Sequence, residues 1–303
     1  MSTRRRFLQI SAAALAVPAG SARASGTPLA RWRGMALGAG AQMTLAGVSE
    51  AEAAPVFAGI EAEVARLERI FSLYRDDSDL VELNRSGHLV APQPEMLEVL
   101  SLSQNIWRAS GGRFNPAVQP LWRAIAEQQP DADVERARAL ADWPGVTWSP
   151  AEVRFARPGM ALTFNGIAQG YITDRVAALL RARGFGDVLI DMGEVRALGQ
   201  HPQGRPWRAG VADASGQIVR HVQLSERALA TSSPLATRLG EAQRDGHILP
   251  PGLGDAVQVA TASVSAPGAA IADGLSTAAT LMTRSDAETM LAAFSGARLE
   301  LHS

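Results

Sequence analysis

Residues 166–174 read Gly-Ile-Ala-Gln-Gly-Tyr-Ile-Thr-Asp and lead from a glycine turn directly into an amphipathic helix. Ile172, Val176 and the pair 179–180 fall on one face at helical spacing, and Gly184 provides a stop. Free backbone N–H groups and the positive end of the helix dipole meet at such an N-terminus, and glycine lets a phosphate approach closely. The stretch therefore predicts an anion site; an ordinary strand-to-helix turn is the alternative interpretation.

Composition narrows the class of protein. The chain has 303 residues, of which 47% are hydrophobic, so it can bury one large core or two modest ones. Its 29 basic and 30 acidic residues give a formal net charge of −1, which disfavours a nucleic-acid-binding role. The chain contains no cysteine, which excludes disulfides, thiolate metal sites and cysteine nucleophiles.

The N-terminal residues resemble a twin-arginine secretion signal. Residues 3–9 read Thr-Arg-Arg-Arg-Phe-Leu-Gln, and they precede a mildly apolar run at 10–17 and the small-residue pattern Ala-Arg-Ala at 22–24. The apolar run is too short for a permanent membrane anchor, and no later segment reaches the roughly 18 apolar residues that a span needs. We therefore expect residues 1–24 to be a signal peptide, residues 25–303 to form the mature domain, and the protein to be periplasmic.

Helical and strand patterns are interspersed without a regular βαβ rhythm, which predicts a mixed α/β or α+β fold. A strand or a hairpin is expected over residues 31–46, with Gly34, Gly38 and Gly40 as bends. Ser49 and Glu52 have capping-box spacing at the start of a long helix. The other predicted elements are helices at 94–110, within 129–150 and at 268–294, and strands at 160–164, 187–191, 207–212, 217–224, 257–264 and 297–301.

Two polar groups could carry chemistry. Asp273 and Thr277 are four residues apart, so on a helix they share a face, and both are hard oxygen ligands suited to magnesium. His247 is the histidine of a loop rich in proline and glycine, with a pKa near neutrality. Structural interpretations compete with both: an N-cap aspartate beside a solvent-facing threonine, and a histidine that only supports its loop.

These motifs, in their order along the chain, resemble the FAD:protein FMN transferases, also called ApbE-like flavin transferases. The resemblance covers roughly residues 31–300 and implies one α+β domain of mixed β-sheets flanked by helices, T-fold-like. Within the family, the chain looks most like the periplasmic accessory protein of nitrous oxide reductase systems (NosX type). The matching elements are Ser72-Leu73-Tyr74 with Ser78 and Asn84, the Gly111-Gly112-x-Phe114 turn, residues 166–174, Met192-Gly193-Glu194, Ala230-Thr231-Ser232, His247-Ile248, and Ala272-Asp273 with Thr277.

The resemblance implies transfer of the FMN half of FAD to a serine or threonine hydroxyl of a partner protein, with release of AMP. The implied acceptor is a membrane or periplasmic respiratory protein. Catalysis would depend on Asp273 and His247, with His247 as the general base. The implied magnesium ligands are Asp273, Thr277 and the backbone carbonyl near Gly166. The implied FAD contacts are Met35, Tyr74, Arg113, Phe114, Asn115, Thr163, Gln169, Thr231, Ser232 and Ile248.

The chain also departs from the family pattern. Relatives usually carry lysine at the position of Gln169, aspartate at Thr163, Asn115 and Pro250, and threonine at Leu253. Loss of the lysine removes a positive charge from a phosphate site, and loss of nearby carboxylates partly offsets that change. Two alternative functions therefore stay open: a non-catalytic FAD-binding or scaffold protein of the same respiratory system, and an FAD pyrophosphatase that uses water as acceptor.

Overall fold

A seven-stranded antiparallel sheet lies at the centre of the fold. The computed structural model describes residues 27–213, 215–240, 245–252 and 256–303, so the predicted signal peptide and Leu253 lie outside the described residues. From edge to edge, the sheet contains β1 (Leu29–Ala36), β2 (Ala39–Ala46), β6 (Val188–Asp191), β7 (Val195–Leu198), β10 (Arg227–Ser232), β13 (Ala262–Ala266) and β14 (Arg298–His302).

Three small sheets and eight helices complete the described part of the chain. The small sheets pair β3 (His88–Val90) with β5 (Glu152–Phe155) and β4 (Val146–Trp148), β8 (Trp207–Ala212) with β9 (Ile218–Leu224), and β11 (Arg238–Leu239) with β12 (Asp245–Gly246). The helices are α1 (Glu50–Phe71), α2 (Asp79–Ser86), α3 (Pro94–Ala109), α4 (Gln119–Ala126), α5 (Asp131–Ala139), α6 (Ala168–Ala182), α7 (Ala269–Ala279) and α8 (Arg284–Ala292). The predicted α+β class is confirmed. No helix in the described ranges has the length and apolar character of a membrane span.

The main hydrophobic core lies between the central sheet and helices α1, α3, α6 and α7. Leu45 of the sheet, Ile60 of α1, Ile172 of α6 and Leu275 of α7 are fully buried in it. A second apolar cluster packs the β8–β9 hairpin against β7 and β10. Helices α6 and α7 therefore each bury one face in this core, and they pack against each other.

The capping box predicted at the start of the long helix, α1, is confirmed. The Ser49 hydroxyl accepts a hydrogen bond from the Glu52 amide, and the Glu52 carboxylate accepts one from the Ser49 amide at 3.0 Å. Ile60 and Val64 are buried on the face that meets the core. Reciprocal capping satisfies two amides that a helix N-terminus otherwise leaves without partners, which explains why the helix begins there.

The hairpin of β1 and β2 is confirmed, but two of its three predicted bends are wrong. Gly34 and Gly40 lie within the strands, where they pair with Ala41 and Met35. The turn consists of Leu37 and Gly38, both with positive φ (48° and 81°). A two-residue turn with two positive φ values matches the right-handed twist of the flanking strands, so it needs no additional bends.

The strand predicted at 160–164 is wrong, and the strand predicted at 257–264 is confirmed only from residue 262 onward. In both segments, a group outside a strand takes backbone hydrogen bonds that a strand partner would otherwise make. In the segment 160–164, the Asn84 amide side chain accepts from the Leu162 amide at 2.7 Å and donates to the Leu162 carbonyl at 2.8 Å. In the segment 257–264, a strand begins only at Ala262, because Gln258 donates its amide to the carbonyl of Thr280 at the end of α7. The apolar runs at 160–164 and 257–261 are therefore not strands.

Candidate functional site

One open cleft contains nearly all of the predicted site residues. Met35 is the exception, because it lies on β1 with 63% of its surface exposed and does not line this cleft. The predicted residues that line the cleft are Tyr74, Arg113, Phe114, Asn115, Thr163, Gly166, Gln169, Thr231, Ser232, His247, Ile248, Asp273 and Thr277.

The cleft also contains residues that sequence reasoning missed, and Glu194 matters most among them. It closes the three-residue turn between β6 and β7, and its side chain is buried. Its place in the Met192-Gly193-Glu194 element of the family resemblance is the sequence signal that could have identified it. The other unpredicted lining residues are Pro116, Val118, Gln119, Trp122, Asn165, Gly193, Thr237, Leu249 and Leu281.

The N-terminus of α6 reaches the cleft, but its backbone amides are more engaged than the sequence predicts. The Ala168 amide donates to the Phe164 carbonyl at 2.7 Å, and the Gly170 amide donates to Asp273 Oδ2 at 3.2 Å. A Cβ at position 170 would lie 2.4 Å from the carbonyl oxygen of Ala269. Gly170 is therefore required for the close packing of α6 on α7, whereas the prediction assigned it to the approach of a phosphate.

Helix α7 brings Asp273 and Thr277 to the cleft one turn apart, as their spacing predicts. A Cβ on Gly166 would lie 3.0 Å from Thr277 Oγ1, so the backbone at Gly166 directly faces this hydroxyl. The Ser232 hydroxyl of β10 lies 3.3 Å from the same oxygen. The backbone at Gly166 and the side chains of Asp273 and Thr277, predicted as metal ligands, therefore converge between α6, α7 and the central sheet.

The carboxyl groups of Asp273, Glu194 and Asp191 have raised pKa values. Burial raises the pKa of Asp273 to about 7. Burial also raises the pKa of Glu194 well above its usual range, and repulsion from Asp273 and Asp191 adds to that effect. Burial raises the pKa of Asp191 as well, although a hydrogen bond from Gln42 at 3.0 Å opposes the shift. Negative charge is therefore costly here unless a cation neutralises it.

The donor atoms fit a hard cation such as magnesium. A glycine at position 166 keeps the space beside Thr277 open, and Glu194 Oε2 is buried without a hydrogen-bond partner. Carboxylate, hydroxyl and carbonyl oxygens are the ligands that magnesium prefers. Among the residues described, no group of three or more histidine, cysteine, aspartate or glutamate side chains could hold a metal ion. A cation here would therefore complete its shell with hydroxyl, carbonyl, water or substrate oxygens.

His247 is held in one tautomer by backbone carbonyl groups. Its Nδ1 lies 3.0 Å from the Pro234 carbonyl oxygen and 3.4 Å from that of Thr237. Because a carbonyl oxygen can only accept, Nδ1 carries the proton of the neutral ring, and Nε2 is left as the acceptor nitrogen of a side chain that lines the cleft. Burial lowers the pKa of His247, which keeps the ring neutral near pH 7. This arrangement suits a general base.

The side chains predicted to contact FAD differ in exposure and in their hydrogen-bond partners within the protein. Tyr74 is 62% exposed at the rim of the cleft, whereas Phe114 is buried beneath Gly166. Both ends of the Asn115 amide are engaged by backbone: its Oδ1 accepts from the Ala117 amide, and its Nδ2 donates to the Ala141 carbonyl, each at 2.9 Å. Asn115 therefore lines the cleft and also holds together the backbone segments beside it.

Asp174 links helices α6 and α7. Its two carboxylate oxygens accept from the amides of Ala269 and Ala270 at 2.9 and 3.0 Å, so it caps the N-terminus of α7 from the side of α6. Arg196 of β7 lies 3.6 Å from the same carboxylate and donates to the Pro267 carbonyl. A carboxylate at a helix N-terminus is favoured by the helix dipole. This contact fixes the start of the helix that carries Asp273 and Thr277.

Asp174→Ala is expected to destabilise the protein by about 1–3 kcal/mol, because it leaves two helix N-terminal amides without their acceptor. The measurement is the midpoint of urea unfolding, monitored by circular dichroism. Glu288→Ala is the matched control, since it removes an exposed carboxylate of α8 that pairs only with Arg284 and is expected to cost less than about 0.5 kcal/mol. Equal midpoints for the two variants would contradict the capping role.

A cleft that combines buried carboxylates, hydroxyl groups and a neutral histidine is typical of enzymes that act on phosphate esters. The chain belongs to the ApbE family, whose profile matches residues 37–299. It is similar to the FAD:protein FMN transferase of Treponema pallidum (strain Nichols), at 28% identity over 285 residues that cover 82% of this chain and 78% of the relative. The corresponding protein of Klebsiella pneumoniae (strain 342) is 23% identical over 266 residues, covering 80% and 76%.

Solved structures share the fold. The flavinyl transferase ApbE of Pseudomonas stutzeri, in its apo form, has a TM-score of 0.73 at 27% identity and covers 88% of each chain. The flavin transferase ApbE of Vibrio cholerae has a TM-score of 0.74 at 20% identity, covering 86% of this chain and 89% of that chain. The prediction of a single ApbE-like domain of mixed α and β structure is confirmed.

Proposed function

We propose that the protein transfers FMN from FAD to a serine or threonine hydroxyl of a partner protein and releases AMP. Membership of the ApbE family and the names of the relatives support this proposal. The observation that carries it is the arrangement of the cleft, where His247 in its Nδ1-protonated tautomer lines the same space as Asp273 and Thr277. A base and an anion-stabilising centre in one cleft are what hydroxyl attack on a pyrophosphate requires.

The transfer balances as a single displacement at phosphorus. The acceptor hydroxyl oxygen forms a bond to the phosphorus of the FMN half, and the bond from that phosphorus to the bridging oxygen of the pyrophosphate breaks. AMP leaves with the electron pair of that bond. His247 Nε2 accepts the hydroxyl proton, and its Nδ1–H, held on the Pro234 carbonyl, keeps the ring oriented during the step.

Asp273 and Thr277, with the carbonyl near Gly166, would hold magnesium in the proposed enzyme. When bound, magnesium would neutralise the negative charge that repels an attacking oxygen. Gly170 donates its amide to Asp273 Oδ2, which orients this carboxylate toward the cleft. Ser232 lies within hydrogen-bond distance of Ser276 and Thr277, so the Thr277 hydroxyl is also positioned from the sheet side.

A non-catalytic FAD-binding or scaffold function is the second candidate. The side chain of Gln169 lies beside the β6–β7 turn, 2.9 Å from where a Cβ on Gly193 would be. A neutral amide at this point offers hydrogen bonds but supplies no charge to offset Glu194 and Asp273. Such a site could hold FAD without lowering the barrier to transfer.

A denaturing gel separates these functions. The chain from Ser25 onward is mixed with FAD, magnesium and the flavin-accepting domain of a candidate membrane partner, and the gel is inspected for partner fluorescence. A fluorescent partner band supports transfer. FAD that stays bound without a band or AMP supports the scaffold function, whereas AMP and free FMN without a band support a pyrophosphatase.

We also propose that the protein is exported by the twin-arginine route to the periplasm and serves a respiratory system there, such as nitrous oxide reduction. The order of arginines, apolar run and small-residue pattern within residues 1–24 supports export. A reporter that is active only after twin-arginine export, fused behind residues 1–24, tests the route. Replacement of the arginine pair at positions 4–5 by lysines should abolish its activity.

A further inference from the structure

Glu194 has a buried oxygen for which the protein supplies no partner. The side chain is 7% exposed, and Oε2 makes no hydrogen bond. Its carboxylate accepts one hydrogen bond, from the backbone amide of Thr231 on the neighbouring strand. A buried carboxylate oxygen without a partner is costly, so such atoms are found where a ligand completes them.

The surroundings of Glu194 favour a cation as that ligand. Glu194 and Asp273 are both buried, and both line the same cleft. Thr277 adds a hydroxyl oxygen beside Gly166. Two carboxylates and a hydroxyl supply the hard oxygen ligands that a divalent cation prefers, and a bound cation would let both carboxyl groups stay ionised.

Asp191, the last residue of β6, has a different environment. Its carboxylate accepts from Gln42 Nε2 at 3.0 Å and from the Gly193 amide. Its hydrogen-bonding capacity is thus used within the protein, although it lies only three residues before Glu194 and is buried to a similar degree. Asp191 therefore supports the turn, whereas Glu194 has an oxygen that is available to a ligand.

We propose that Glu194 is a further carboxylate ligand of a divalent cation held between β7 and α7, together with Asp273 and Thr277. The proposal deepens the proposed function and rests on its cation site. Glu194 directly precedes β7 of the central sheet, whereas Asp273 and Thr277 lie on α7. The proposed cation would therefore link the sheet to α7.

The test is a calorimetric titration of the FAD-free protein with Mn²⁺, at constant pH. Glu194→Gln keeps the size of the side chain and an acceptor for the Thr231 amide, and it is expected to weaken Mn²⁺ binding about 10- to 100-fold. Asp191→Asn is the matched control, since it changes a neighbouring buried carboxyl that is already hydrogen-bonded, and its effect on Mn²⁺ affinity should be much smaller than that of Glu194→Gln. The rise of the thermal midpoint on Mn²⁺ addition is a second readout, and it should shrink in Glu194→Gln alone.

Unchanged Mn²⁺ affinity in Glu194→Gln would overturn the proposal, as would a wild-type protein that binds no Mn²⁺ in this titration. Neither outcome decides the proposed function, which the gel assay tests separately. If Glu194→Gln does not fold, Glu194→Asp takes its place, because it retains the charge but withdraws the oxygens by one methylene. This variant should also weaken binding, and wild-type affinity in it would count against ligation by Glu194.

Discussion

Asp273→Ala is expected to lower magnesium-dependent FMN transfer by about three orders of magnitude or more, which a gel assay will register as abolished. The loss follows because the variant removes the carboxylate on which the cation site depends, and a cation at a reacting phosphate contributes several kcal/mol to catalysis. The measurement is the initial rate of partner flavinylation at saturating FAD over a magnesium series. An unchanged rate at saturating magnesium would contradict the proposed metal site.

Two companion variants separate loss of charge from loss of structure. Asp273→Asn keeps an oxygen that can accept from the Gly170 amide, so it should fold like wild type and be nearly as inactive as the alanine variant. Glu288→Gln changes an exposed acid on α8 and should retain full activity. Circular dichroism and thermal midpoints show whether the variants are folded. A midpoint that collapses in Asp273→Asn would assign the residue to the fold.

His247→Ala is expected to lower the transfer rate by about two to four orders of magnitude, the usual contribution of a general base. The tautomer fixed by the Pro234 and Thr237 carbonyls makes Nε2 the proton acceptor, and alanine removes that acceptor without touching the cation ligands. The measurement is the single-turnover rate at saturating FAD, with FAD affinity determined separately by fluorescence. A loss that merely follows weaker FAD binding would return His247 to a structural role.

The pH profile provides a second check on His247. A base acts only when deprotonated, and burial lowers the pKa of this histidine below its usual 6.5. At saturating magnesium, the transfer rate should therefore be flat through neutral pH and fall only at pH values below about 6.5. His201→Gln is a suitable control, because His201 lies beside Trp207, outside the cleft. A profile that stays flat in acid would argue against proton transfer to His247.

Sequence periodicity predicted the helices that build the site, because local signals specify them. The capping box of α1 and the spacing of Asp273 and Thr277 each depend on residues a few positions apart. The capping box and the shared helix face of Asp273 and Thr277 therefore do not depend on contacts with distant parts of the sequence. The predicted cleft residues came mostly from a family resemblance, and all but Met35 line one cleft.

The errors arose where distant residues decide the structure. Asn84 hydrogen-bonds Leu162 across 78 positions of sequence, and this long-range contact replaces a strand partner. The role of Gly170 depends on the carbonyl of Ala269, which belongs to a helix that begins about a hundred residues later. Glu194 stands in a motif of the family resemblance, but sequence does not report that its side-chain oxygen is buried without a partner. Periodicity contains no information on such contacts.

The proposed catalytic residues lie on two separate parts of the fold, and this arrangement has a consequence for evolution. Asp273 and Thr277 lie on α7, which is fixed to α6 through Gly170 and Asp174. His247 instead follows the two-residue strand β12 and is oriented by the Pro234 and Thr237 carbonyls. Substitutions in the β11–β12 hairpin are therefore expected to move His247 while leaving Asp273 and Thr277 in place on α7. In the proposed reaction, the base could then diverge between relatives independently of the cation site.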